Sequence, residues 1–285
     1  MINIDVVTHY GRVLHGAKFT ASKSQTVVIA ITGVHGNFYS NPFYYTIGET
    51  LSGCGIDFIY AQTRDAFGKM EAINQLTGEH ETIGSWNEDL TCSDEDISTY
   101  IDYAELAGYK NIILAGHSLG ANKVIYYLSK YNDRRVTKFI LLSPANIKHL
   151  VSFVSAVERE TVQQYILSGR GQESLPFDLF GWLPCIADTA YQWIFDNVLN
   201  NVHVEEDGDF AQVAQIKHSG ALIIGTYDRF TYGDPIHYLK NINDHMSSPD
   251  LNKLVYIEHT GHTYQQKEQQ LADIIAQMVA GWVDK

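Results

Sequence analysis

The sequence predicts an α/β protein with a mostly parallel sheet and helices on both faces. Two observations carry that prediction. Short apolar runs rich in β-branched residues alternate along the chain with longer patterns of helical period. The runs are also apolar almost throughout, which suits parallel strands buried on both faces.

The first twenty-odd residues read as a short antiparallel lead-in. Strands are then expected at 26–31, 56–61, 111–115 and 136–142, and again at 221–225 and 254–257. Ser93 precedes Asp94-Glu95-Asp96, a capping residue with acids in the first turn, and that helix should run to Gly108 as its stop. A second helix follows at 119–131. A third, at 265–282, repeats apolar residues at Leu271, Ile274, Ile275, Met278, Val279 and Trp282, one helical face.

The rhythm breaks once. Almost eighty residues separate Ser143 from Ala221, with helical patterns at 150–167 and 186–199 and the aromatics Phe177, Phe180, Trp182, Tyr191, Trp193 and Phe195. So long an insertion should bear structure of its own. The expected organisation is a core from 1–145 and 219–285, with 146–218 as an inserted helical cap, or lid, over one edge of the sheet. The rhythm resumes after the insertion, so 285 residues read as one unit with a surplus rather than two domains.

Composition narrows the class. The chain is 45% hydrophobic and 19% charged, which excludes a disordered protein. Its net charge of −13 repels phosphate-rich partners, so neither nucleic acid nor an anionic membrane is expected. From Arg64 to Glu105 there are eleven acids against two bases, nine of the thirteen net charges, and a solvated helix face and loop is the default reading. A docking face for a basic partner is the alternative there. Cys54, Cys92 and Cys185 are odd in number and form no CxxC pair, so no disulfide framework or zinc knuckle is indicated. The chain has neither a signal-peptide pattern at Met1 nor an apolar run approaching the roughly 20 residues of a membrane span, and a cytoplasmic setting is expected.

Gly116-His117-Ser118-Leu119-Gly120 directly follows a predicted strand and opens a predicted helix. A nucleophile on a sharp strand-to-helix turn needs tiny neighbours, and glycines two positions either side of Ser118 supply them. The helix N-terminus points free N–H groups at the serine, where they favour an oxyanion. Five such letters also arise by chance, so the rest of the constellation matters. A serine hydroxyl needs a base, and the base an orienting acid. Asp228 and His262 each fall just past a predicted strand, in the order serine, acid, histidine, at the sheet edge where parallel sheets bind ligands. The other acid position, after 142, reads Ser143-Pro144-Ala145-Asn146 and offers no carboxylate. Thr32-Gly33-Val34-His35-Gly36-Asn37 follows the strand at 26–31, and the amides of Asn37 and Leu119 are the expected oxyanion-hole donors.

On these residues the chain resembles the α/β-hydrolase superfamily over nearly its full length. The resemblance implies an oxyanion loop at His35-Gly36, a nucleophile elbow at Ser118, acid and base at Asp228 and His262, and a lid between Ser143 and Ala221. Thr77-Gly78-Glu79-His80-Glu81-Thr82-Ile83-Gly84 faintly resembles a segment of feruloyl-esterase-like and siderophore-ester-hydrolase-like branches.

No cofactor or metal is expected. His259 and His262 lack a third ligand at metal-site spacing, and Gly53-Cys54-Gly55 precedes a strand instead of following one, unlike a dinucleotide turn. The cap aromatics can pack the lid onto the sheet, or Phe180, Trp182 and Trp193 can wall a substrate pocket above Ser118. The expected activity is serine hydrolysis of a small-to-medium carboxylic ester. A thioesterase, carbon–carbon bond hydrolase, amidase or acyltransferase with the same residues stays open, as does a non-catalytic receptor.

Overall fold

The computed structural model describes residues 1–283. Its centre is an eight-stranded sheet in the order β1-β2-β4-β3-β7-β8-β9-β10. The strands are β1 (Ile2–Val7), β2 (Val13–Phe19), β3 (Thr26–Ile31), β4 (Asp57–Ala61), β7 (Asn111–His117), β8 (Val136–Leu142), β9 (Gly220–Gly225) and β10 (Lys253–Ile257). β1 and β2 pair antiparallel, and β2 meets β4 antiparallel, whereas β4, β3, β7, β8, β9 and β10 run parallel. A separate hairpin joins β5 (Met70–Ile73) to β6 (His80–Ile83).

The unbroken apolar runs now have a cause. Along β3, Val27, Ile29 and Ile31 enter one core while Val28 and Ala30 enter the other. Helices α2 (Ser93–Leu106), α3 (Leu119–Lys130) and α8 (Pro235–Asp244) cover the first face; α1 (Phe43–Gly53) and α9 (Glu268–Val283) cover the second. A strand with helices on both sides has no face left for polar residues. No helix among the described residues is long and apolar enough to cross a membrane.

Between β8 and β9 lie α4 (Ile147–Ser152), α5 (Ala156–Leu167), α6 (Ala187–Tyr191) with a following π-turn over Gln192–Asp196, and α7 (Ala211–Gln215). The pattern at 150–167 is therefore two helices, and Ser155 caps the second in a reciprocal capping box with Glu158. Residues from Ile147 to Leu199 share a third apolar cluster with Val34, Leu90 and Leu119. The later part behaves differently, for Val202, Phe210, Val213 and Ile216 join the main core beside α3.

Two local expectations change. Ser93 is not the acceptor that starts α2; its hydroxyl donates to Leu90 O at 2.7 Å. Asp89 caps instead, accepting from Thr91 N–H at 3.0 Å, because a 3-10 turn at Leu90–Cys92 runs straight into the helix. The acid-rich segment is also not simply a solvated face. Asp65, Glu88 and Asp96 are buried. Asp96 and Glu95 hold the buried Arg64 guanidinium, while Asp65 and Glu88 hold the fully buried Lys123 ammonium at 2.9 and 2.7 Å. These carboxylates face cations that lie far away in sequence.

Candidate active site

Ser118 sits where β7 turns into α3, at φ 56° and ψ −129°. That strain is held by its surroundings: Ser118 N–H donates to Leu142 O on β8 at 3.0 Å, and the helix begins one residue later. The flanking glycines are obligatory on geometric grounds. A Cβ at Gly116 would lie 2.3 Å from Gly120 O, and one at Gly120 would lie 2.3 Å from Ile31 O. Gly33, past the end of β3, lies against the serine itself, since a Cβ there would be 3.0 Å from Ser118 Cβ.

Asp228 and His262 leave the ends of β9 and β10 in loops tied to each other by Tyr227 N–H to Thr260 O at 2.8 Å. His262 Nδ1 lies 2.9 Å from Asp228 Oδ2 and 3.1 Å from Oδ1. Asp228 Oδ1 also accepts from Phe230 N–H at 2.9 Å. Burial pushes the Asp228 carboxyl up. The hydrogen bond and charge of His262, with the Phe230 amide, outweigh that and hold it below the ordinary carboxyl value. An ionised Asp228 fixes the Nδ1–H tautomer and leaves His262 Nε2 as the free acceptor. The Phe230 ring lies 4.4 Å from the imidazole. Ser118 Oγ makes no hydrogen bond among the described residues, His262 included; such contacts are often long before substrate binds.

The loop after β3 corrects one expectation. Asn37 N–H donates to Ser40 Oγ at 2.9 Å, so that amide is used within its own turn. The Asn37 side chain instead fastens the loop, its Nδ2 donating to His35 O at 2.8 Å and Ala66 O at 3.1 Å. The register is set by Gly33, the residue against Ser118, and the amide that follows it is that of Val34. Among the described residues Val34 N–H has no acceptor. Leu119, first in α3, has the orphan amide of a helix start.

Phe180, Trp182 and Trp193 form a row of rings. Trp193 is buried, Phe180 packs against it at 5.4 Å, and Trp182 lies 5.8 Å from Phe180 and 5.8 Å from His35 in the loop after β3. Trp182 and Phe180 are thus joined to that loop, while Trp193 lies deeper in the apolar cluster. His259, the other member of the possible metal pair, bonds Tyr227 OH through Nδ1 at 2.8 Å.

Sequence reasoning missed Val34, Phe230 and His117. Val34 was legible in principle, since it sits three residues past the last strand position and directly follows the glycine.

No family model matches the chain. A curated tRNA(Phe) (4-demethylwyosine(37)-C(7)) aminocarboxypropyltransferase from Pyrococcus horikoshii is 27% identical over 120 residues, which cover 38% of this chain and 43% of that protein. The chain thus spans less than half the length of that relative. Solved structures match along the whole chain. Est1E from Butyrivibrio proteoclasticus with bound ferulic acid has a TM-score of 0.70 at 17% identity, covering 99% of this chain and 100% of that one. The α/β hydrolase GrgF from Penicillium sp. sh18 has a TM-score of 0.68 at 16% identity, over 98% and 99%. A monoacylglycerol lipase from Paleococcus ferrophilus gives 0.61 at 16%, over 94% and 99%.

Proposed function

We propose that this chain, whose fold is that of the α/β-hydrolase superfamily, is a serine hydrolase acting on a carboxylic ester. The observation that carries the reading is the His262–Asp228 pair, bonded at 2.9 Å, on loops beside a strained Ser118 at a helix start. In the proposed reaction His262 Nε2 takes the Ser118 proton as Oγ attacks the ester carbonyl. Asp228 holds the imidazolium that results. The amides of Val34 and Leu119 receive the tetrahedral oxyanion, and the helix start adds its dipole. His262 then gives its proton to the leaving alcohol. Water, activated by the same ring, attacks the acyl carbon, and the ester on Ser118 breaks to release the acid.

The segment 146–218 is read as a cap that sets the substrate. Its apolar cluster reaches Val34 and Leu119, the two proposed donors, and the ring row of Trp193, Phe180 and Trp182 ends at His35. An apolar wall of this kind suits an ester with at least one apolar portion, small to medium in size. Est1E holding ferulic acid is in keeping with an aromatic acyl group, and the lipase with an aliphatic one. Three free thiols suit the reducing, cytoplasmic setting expected above.

A fluorophosphonate probe tests the reading. The wild-type protein should be labelled and should turn over p-nitrophenyl acyl esters, and Ser118→Ala should do neither. Labelling that persists in Ser118→Ala sinks the nucleophile assignment. Tight ligand binding with no turnover and no labelling would make the protein a receptor.

A further inference from the structure

We infer that His117, the residue before the nucleophile, is a positioning residue that holds the main chain of His262 against the elbow. The inference rests on the serine-hydrolase reading of Ser118, Asp228 and His262.

His117 ends β7, and its side chain is only 2% exposed. Its Nε2 lies 2.7 Å from His262 O. A carbonyl can only accept, so Nε2 carries the proton and donates. The two imidazoles are 4.8 Å apart, and Phe43 and Tyr264 pack against the His117 ring at 4.9 and 6.2 Å. Nδ1 is buried and has no partner among the described residues. Burial, followed by the neighbouring His262, presses the ring's pKa down to about 3, which keeps it neutral.

The topology gives this bond its importance. β7 carries the nucleophile and β10 leads to the base, but β8 and β9 lie between them. No ladder hydrogen bond therefore registers Ser118 directly against His262. Asp228 holds the His262 ring at Nδ1, yet that contact leaves the main chain free to shift. The His117 bond spans the two intervening strands and fixes the backbone of the base to the residue adjoining the nucleophile. An apolar side chain would fill the same space and remove the unpaired Nδ1, which offsets the donor it withdraws from His262 O, so the imidazole brings stability little advantage.

The test compares His117→Phe, which keeps a ring and loses the donor, with His117→Gln, whose amide N–H can reach the same carbonyl. In His117→Phe, kcat should fall by about ten- to hundredfold with KM within about twofold, the pattern of displaced reacting groups. The rate of fluorophosphonate labelling should fall by the same factor. Its Tm should change little, because the unpaired Nδ1 leaves with the imidazole as His262 O loses its donor. His117→Gln should recover most of the loss in both rates. The inference is overturned if His117→Phe keeps wild-type kcat, if both variants lose equally, or if the loss follows a lowered Tm. A wild-type protein that neither labels nor turns over esters overturns the serine-hydrolase reading itself, and this inference with it.

Discussion

At the scale of single residues, the site depends on where protons sit. Asp228 is held ionised by His262, so Asp228→Asn should present the wrong imidazole tautomer to Ser118. Its kcat should drop by roughly three to four orders of magnitude with little change in Tm, and a loss below tenfold would contradict the assignment. Glu88 shows the opposite displacement. Burial and the Asp65 charge push its carboxyl up to about 8, against the pull of Lys123. The folded protein then keeps a proton that the unfolded chain releases above the ordinary carboxyl pKa. Stability from this group is full below that value and is lost as pH rises towards about 8. The urea midpoint should fall between about pH 5 and pH 8. Glu88→Gln should flatten that slope, and equal slopes in the two proteins would exclude Glu88 as its source.

Elements are held by close approach and by caps. Gly120 brings the start of α3 onto β3, with no room for a methyl beside Ile31 O. Gly120→Ala should therefore cost about 1–3 kcal/mol in denaturant titrations and slow Ser118 labelling, since the elbow must move. Helix α8 begins with Asp234 accepting from Ile236 N–H at 3.1 Å and Pro235 in its first turn. Asp234→Ala should cost about 1 kcal/mol in denaturant titrations, because Ile236 N–H loses its acceptor at the helix start. At this scale most of the sheet was legible. Each of the six expected strands forms within a residue or two of its expected bounds, because runs such as Val27 to Ile31 fill two cores at once. Helix α1 went unread, although Phe43, Tyr44, Ile47 and Leu51 are buried along it: no side-chain cap announces its start. The break between α4 and α5 was hidden as well, since a helical pattern survives a three-residue interruption.

For the whole molecule, the −13 charge acts as a field. Esters carrying a second, ionised carboxylate should react more slowly than neutral esters of equal length, and the gap should narrow as salt rises. A gap independent of salt would trace the preference to pocket shape instead. Part of that charge is internal, bound to Arg64 and Lys123, and it ties α2, α3 and the loop after β4 together. The chain by itself determined the sheet and its mostly parallel sense, and it placed the candidates Ser118, Asp228 and His262 just past strand ends. Apolar periodicity and motif spacing are local properties that any reader of the sequence can follow. Only the tertiary structure decided that the Asn37 amide is spent on Ser40, that the acids at 65, 88 and 96 are buried with cations, and that His117 reaches His262. Each of these is a hydrogen bond or ion pair between residues far apart in the chain or within an irregular loop, and such partners leave no periodic trace.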